Sequence, residues 1–255
     1  MNVQRINILG VSISAINMEM AKKVIDQTVE KDGKGYICVT GVHGVIEAQK
    51  DPEFSAILNK ATLCTPDGMP LVWIGRYYGF KHMGRVYGPD LMLEVCKMSL
   101  NKNYKHFLYG GAKGVAAQLK QRLIHKFPEI NIVGIYTPPF RPISCKEEEE
   151  LCCLVRKTQP DIFWVGLSTP KQEKFMANYI NKLDTKIMIG VGAAFDFHTG
   201  RVKQAPRWIQ RRGLEWLFRL SQEPHRLWRR YIYNNPVFVY KIISQLMGIK
   251  NYDVH

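Results

Sequence analysis

Several things are missing from this sequence, and each absence narrows what the chain can do. No apolar run is long enough to cross a bilayer. The first ten residues have neither the charged flank and apolar stretch of a secretion signal nor a small-residue cleavage site. The six cysteines (Cys38, Cys64, Cys96, Cys145, Cys152 and Cys153) show no metal-ligand spacing. Several lie in apolar runs such as 36–40, where a thiol behaves as a small hydrophobe, so they read as reduced and structural, in a cytosolic chain. There is no Gly-x-Ser-x-Gly elbow and no zinc pairing of histidines with carboxylates, which disfavours serine hydrolases and metallohydrolases. The Gly-x-Gly-x-x-Gly fingerprint and the Lys-Ser/Thr ending of a P-loop are also missing, which argues against a nucleotide-sugar oxidoreductase. No Asp-x-Asp pair offers a divalent metal a seat; Asp51-Pro-Glu53 comes nearest and reads as a helix-start turn.

Acid is scarce. Lys+Arg number 36 against 22 Asp+Glu, a formal charge of +14 that calls for an anionic partner: a nucleotide, a nucleic acid or a lipid headgroup. The sign alone does not choose among them. The remaining composition, 255 residues with 46% hydrophobic and 23% charged, is that of a globular chain with a sizeable core.

From about residue 35 to 191, short β-branched runs alternate with helix-period segments, which predicts a parallel sheet covered on both faces, an α/β fold of Rossmann-like type. Strands are expected at 36–40, 62–65, 105–109, 131–136, 161–165 and 186–191. Helices are expected at 45–60, 69–78, 90–100, 113–127, 146–158 and 170–183, and residues 1–34 add an edge strand or hairpin and one helix. The acidic run Lys146-Glu-Glu-Glu-Glu150 suits a solvated helix start. After Gly200 the composition changes: residues 201–255 hold 11 Lys/Arg and 3 Asp/Glu, and arginines interleave with Trp208, Trp216, Trp228 and Tyr231. The expected organisation is a catalytic domain over 1–200 and a helical appendage over 201–255.

In a parallel sheet the ligand crevice lies beyond the carboxyl ends of the strands. Asp67 falls there, between Pro66 and Gly68, where position alone leaves open a helix cap, an Asx-turn or a catalytic base. The Gly110, Gly111 and Gly114 turn enters a helix and can either receive a phosphate on backbone N–H groups or be only a tight turn. Asp196, after the last strand, can hydrogen-bond a sugar or hold Arg201. His43 has a packing or capping role as its simplest reading.

The blocks Thr65-Pro-Asp-Gly-Met-Pro-Leu-Val72, Gly84-Arg-Val-Tyr-Gly-Pro-Asp-Leu91, Phe107-Leu-Tyr-Gly-Gly111, Pro170-Lys-Gln-Glu173, Gly190-Val-Gly-Ala-Ala-Phe-Asp196, Ala205-Pro-Arg-Trp208 and Glu215-Trp-Leu-Phe-Arg-Leu220 resemble, in order and over nearly the whole chain, the WecG/TagA/CpsF glycosyltransferases. The resemblance implies a GT-E type fold and inverting transfer, with no cofactor and no obligatory metal. The implied donor is a UDP-sugar, often of N-acetylmannosamine or a relative, and the acceptor a polyprenyl-diphosphate-linked sugar of bacterial surface polysaccharide assembly. By motif, Asp67 matches the proposed base, and Thr40, Arg85 and Gln172 match substrate-pocket residues. Arg207, Arg212 and Arg219 become candidates for neutralising the leaving diphosphate. Val42 departs from the Asn that many relatives carry there, with His43 beside it, so the sugar identity is open at this point.

An acceptor lodged in a bilayer would explain the basic, aromatic tail, with 236–247 as an interfacial helix on an anionic membrane surface, at the inner face of the cell membrane. An ordinary helix packed on the sheet is the plainer alternative. A nucleic-acid-binding protein is the strongest reading of another class, since Arg and aromatics also suit phosphates and bases; no recognised motif supports it, and no nucleic acid is expected. A non-catalytic nucleotide-sugar scaffold is a further alternative. The apolar residues of the tail are compatible with a homo-oligomer.

Overall fold

The computed structural model describes residues 3–254. The chain opens with a hairpin, β1 (Arg5–Ile8) antiparallel to β2 (Val11–Ser14), with Ile8 opposite Val11. Its two turn residues, Leu9 and Gly10, have φ of 51 and 80, the left-handed pair that a two-residue hairpin turn requires. Next come α1 (Met18–Glu30), β3 (Gly35–Thr40), α2 (Val42–Ala48), α3 (Pro52–Lys60), β4 (Leu63–Pro66), α4 (Met69–Tyr77) and α5 (Gly88–Leu100). Then β5 (Lys105–Gly110), α6 (Val115–Lys126), β6 (Asn131–Tyr136), α7 (Cys145–Thr158), β7 (Ile162–Gly166), α8 (Lys171–Tyr179), β8 (Ile187–Gly190) and α9 (Ala194–Thr199) continue the alternation. Three helices follow: α10 (Arg207–Arg211), α11 (Glu215–Gln222) and α12 (Pro224–Leu246).

Six strands form one parallel sheet in the order β4-β3-β8-β7-β5-β6. Every residue of β4 and β8 is buried, and β3, β5 and β7 are buried at all but one position each, the pattern of a sheet covered on both faces. β6 alternates poorly and is half-exposed, as its place at the edge dictates. The α/β, Rossmann-like expectation holds.

Two local differences have physical causes. The segment 45–60 is two helices, because Pro52 has no N–H to continue the first and instead starts the second, where Asp51 accepts from Phe54 N at 3.1 Å. The segment 236–247 is the second half of a 23-residue helix that runs through Pro236. The acidic run behaves as expected, since α7 begins with a Ser144/Glu147 capping box. Of the cysteines, Cys38, Cys64 and Cys96 are buried, whereas Cys145 and Cys153 are exposed on α7, so the packing argument covers only the first three.

The chain divides into two compact units, one of residues 3–21, 39–87 and 202–254, the other of Lys22–Cys38 and Gly88–Arg201. In the first, α12 is fastened along its length. Asn234 pairs with His43 at 2.8 Å, Lys241 donates to Gln49 at 3.0 Å, and Gln245 both donates to Asn7 O and accepts from Leu9 N, each at 2.8 Å. In the second, stacked rings fill the core: Phe107 on Phe163 at 4.9 Å and Tyr109 on Phe175 at 4.3 Å. Burial holds His106 neutral, its pKa lowered to about 4, so that its Nδ1 accepts from Trp164 Nε1 at 3.0 Å.

Candidate active site

Asp67 is placed by backbone. Its N–H donates to Thr40 O at 2.9 Å, so the chain leaving β4 stays registered against the end of β3 for one residue more. The N-cap of α4 is Gly68, without a side-chain capping bond, and this removes the cap reading of Asp67. The carboxylate is therefore not used as a cap. Its Oδ1 is covered and has no hydrogen-bond partner among the described residues, and a β-carbon on Gly41 would lie 3.9 Å from its Oδ2. About a third of the side-chain surface stays open, 32%, yet enough protein surrounds the carboxyl that burial raises its pKa to about 6. Arg85 opposes that rise, Glu215 adds to it, and Arg219 and Arg230 oppose it more weakly. A carboxylate titrating near 6 is a competent proton acceptor at neutral pH.

Arg85 is held rather than free. Its Nε donates to Asp67 O, its Nη2 lies 2.6 Å from Glu215 Oε2 and 3.6 Å from Asp67 Oδ1, and its guanidinium rests 4.0 Å above the Tyr87 ring. Tyr87 donates its hydroxyl to the other Glu215 oxygen at 2.7 Å, and burial and Glu215 hold that phenol well above its usual range. Burial alone would pull the Arg85 guanidinium down; Asp67 and Glu215 more than reverse this. The group expected as a pocket arginine thus acts on Asp67 itself, fixing its backbone and tempering its charge.

Thr40 is buried, with Cys64 Sγ at 3.2 Å from its hydroxyl, and Thr65 Oγ1 is buried without a hydrogen-bond partner among the described residues. His43 is neutral: burial, aided by Arg230 and Lys50, lowers its pKa to about 3, so its 3.8 Å approach to Glu47 is no ion pair at neutral pH. Among the tail arginines, Arg219 bears on Asp67 and also pairs with Glu223 at 3.8 Å. Arg212 is exposed with its guanidinium 5.7 Å from the Trp208 ring, and Arg207, also exposed, donates to Gln210 at 3.3 Å.

The other predicted residues belong to the second unit, where packing accounts for much of them. Gly110 and Gly111 have φ of 124 and 73; a β-carbon on Gly110 would lie 2.5 Å from Gly166 O, and one on Gly111 would lie 2.8 Å from Val115. Close backbone approach therefore demands these glycines. Gln172 is buried, accepting from Gly192 N at 3.0 Å and donating to Glu173 at 2.9 Å, so it ties the chain after β8 to α8. Asp196 lies in the first turn of α9, and its backbone oxygen, not its carboxylate, accepts from Arg201 N at 3.0 Å.

Three contributors escaped the sequence reading: Glu215, Tyr87 and Arg230. The first two lie inside the motif blocks, but nothing in a linear sequence pairs Arg85 with a carboxylate 130 residues away. Arg230 is one of many tail arginines and becomes distinct only through burial, which lowers its pKa and leaves its Nε without a hydrogen-bond partner among the described residues.

Residues 6–252 match the Glycosyl transferase WecG/TagA/CpsF family. The chain is 32% identical over 209 residues to the N-acetylglucosaminyldiphosphoundecaprenol N-acetyl-beta-D-mannosaminyltransferase of Bacillus spizizenii, covering 82% of this chain and 79% of that protein. It is 31% identical over 188 residues to the Bacillus subtilis protein of the same name, covering 72% and 70%. With nearly its whole length matched, the chain belongs to the WecG/TagA/CpsF family and is a glycosyltransferase.

Proposed function

We propose that this glycosyltransferase moves a sugar of the N-acetylmannosamine kind from a UDP-sugar to a polyprenyl-diphosphate-linked sugar in cell-surface polysaccharide assembly, with inversion and without a bound metal. The observation that carries the reading is the state of Asp67: a carboxylate with one oxygen covered, about a third of its side-chain surface open, and a pKa raised to about 6 by burial. The acceptor hydroxyl gives its proton to Oδ2 as its oxygen bonds to the anomeric carbon, and the bond from that carbon to UDP breaks with its electron pair leaving on the diphosphate. Arg219 supplies positive charge beside the base, and Arg207 and Arg212 complete the cationic set as the donor's diphosphate departs. Thr40 and His43, which share the first unit with Asp67, are the candidate sugar contacts.

The acceptor chemistry follows the activity for which the two relatives are named. A place on the inner face of the membrane is supported by α12. Its buried residues Leu227, Tyr231, Asn234, Phe238 and Ile242 fall on one stripe. Ile232, Val239, Tyr240, Ile243 and Met247 fall on a neighbouring stripe and are exposed, an apolar face among basic residues suited to a headgroup layer. Among the described residues no helix is long and apolar enough to cross a membrane. The test offers a panel of UDP-sugars with a synthetic lipid-diphosphate-sugar acceptor in chelator and records which UDP is released. Release with one donor, dependent on acceptor, supports the reading. Activity abolished by chelator refutes its metal-free part, and flotation with anionic vesicles that is unchanged when 201–255 are deleted refutes the membrane part.

A further inference from the structure

A groove of about 550 Å³ runs between α2 and the first half of α12, lined by His43, Glu47 and Lys50 on one side and by Trp228, Arg230 and Tyr233 on the other. We propose that this groove seats the diphosphate and the first isoprene units of the acceptor lipid, with Arg230 linking it to Asp67. The proposal rests on the transferase reading above and adds to it where the acceptor lies.

The walls combine the two chemistries that such a ligand needs. Lys50, Arg229 and Arg230 face a single carboxylate, Glu47, which Lys50 already engages at 3.0 Å, so the groove has positive charge to spare. Trp228, Ile232 and Tyr233 are exposed there and offer flat or branched apolar surface for an isoprenoid. Lys50 rests 5.1 Å from the Tyr233 ring centre and Arg229 rests 5.3 Å from that of Trp228, cations parked on ring faces that an anion can draw away. Arg230 is the innermost of the cations. Burial lowers its pKa and its Nε has no hydrogen-bond partner among the described residues, a cost that an incoming diphosphate oxygen would offset.

Position supports the same assignment. His43, neutral and held by Asn234, lies two residues after Gly41, where a β-carbon would lie 3.9 Å from Asp67 Oδ2, so the groove starts near the base. The charge of Arg230 reaches Asp67. A sugar carried on a diphosphate at Arg230 therefore has the base within its surroundings. At the other end, Ile232 begins the exposed apolar stripe of α12, along which the prenyl chain can continue into a membrane.

The test is isothermal titration of the full chain with farnesyl diphosphate, inorganic pyrophosphate and UDP, none of which requires turnover. Farnesyl diphosphate is expected to bind more tightly than pyrophosphate. The double variant K50E/Y233D, at two exposed positions, is expected to weaken farnesyl diphosphate by roughly tenfold or more while UDP affinity stays within error. Trp228→Ser, read in parallel, is expected to act in the same direction and guards against a folding defect in the double variant. Equal farnesyl diphosphate affinity in wild type and both folded variants overturns the proposal, and so does a parallel loss of UDP binding, which would make the groove a donor site. Failure of the transfer assay with groove binding intact would count against the transferase reading instead, so the two failures are separable.

Discussion

The strand ends of the two units invite comparison, because similar sequence signals mark them and different physics fills them. In the second unit, Gly110, Gly166 and Gly190 end β5, β7 and β8, and their lack of side chains is consumed by close packing, while Gln172 spends both its polar atoms on Gly192 and Glu173. In the first unit, Thr65 and Asp67 at the end of β4 keep buried oxygens without hydrogen-bond partners among the described residues, and Asp67 is moved well away from its ordinary pKa. A place at the carboxyl end of a strand shows where ligands gather. Unspent polarity and a displaced pKa show which group there is poised to react.

The largest expected effect comes from removing that poise. Asp67→Asn keeps the shape and should cost about 10²- to 10⁴-fold in kcat, measured as UDP release. Its stability should move the other way. The folded carboxyl titrates near 6 instead of its ordinary 3.8, so its contribution to stability is complete below about 4 and is lost as pH rises through 6. The Asn variant should therefore melt higher than wild type at pH 7.5 and not at pH 4. An inactive variant that melts lower at both pH values would mean that Asp67 is structural and that the contrast between the units is false.

Next comes the support of Asp67. Glu215→Ala leaves Arg85 with Asp67 as its remaining carboxylate partner among the described residues and removes the acceptor of the Tyr87 hydroxyl, a disruption expected to cost roughly 1–3 kcal/mol in chemical denaturation. A loss near zero would mean that the Arg85–Glu215–Tyr87 cluster does not hold Asp67 in place.

The order of these effects bears on what a sequence can disclose. The sheet was legible because β3, β5, β7 and β8 are nearly continuous apolar runs, and periodicity separates them from the helices between. Asp67 stood out because a carboxylate between proline and glycine at a strand end has little local reason to be there. Its freedom from capping did not show, since choosing Gly68 as the cap depends on backbone angles. The split of 45–60 was missed although Pro52 was in plain view, because apolar spacing ran on across it. The pairing of Arg85 with Glu215 did not show, because the two lie 130 residues apart, and the cost of burying both becomes apparent only when they meet.

An effect of similar size probes the other side of the comparison. Gly166→Ala puts a β-carbon 2.7 Å from the Phe195 ring, and overpacking of this kind costs about 1–3 kcal/mol. The expected result is a lower Tm with the KM for the UDP-sugar unchanged. A normal Tm with a raised KM would mean that this strand end contacts ligand, and the line between a packed unit and a poised one would have to be redrawn.

The smallest effect sharpens the comparison most, because it asks whether the neighbours of Asp67 tune it or merely surround it. Glu215→Gln keeps one carbonyl oxygen to accept from Arg85, turns its amide nitrogen toward the Tyr87 hydroxyl oxygen, and deletes a negative charge that raises the Asp67 pKa. It also leaves Arg85 more strongly drawn to Asp67, which favours the ionised form further. Both changes act in one direction, so the acidic limb of the kcat/KM profile, expected near pH 6 in the wild type, should move to lower pH by a fraction of a unit. At pH 5 the variant should then keep a larger share of its plateau activity than the wild type does. Burial remains the main cause of the raised pKa, so the limb should stay well above the ordinary aspartate value of 3.8. A limb that does not move would mean that the charge of Glu215 is spent on Arg85 before it reaches the base, and a limb that moves up would reverse the sign on which the tuning rests.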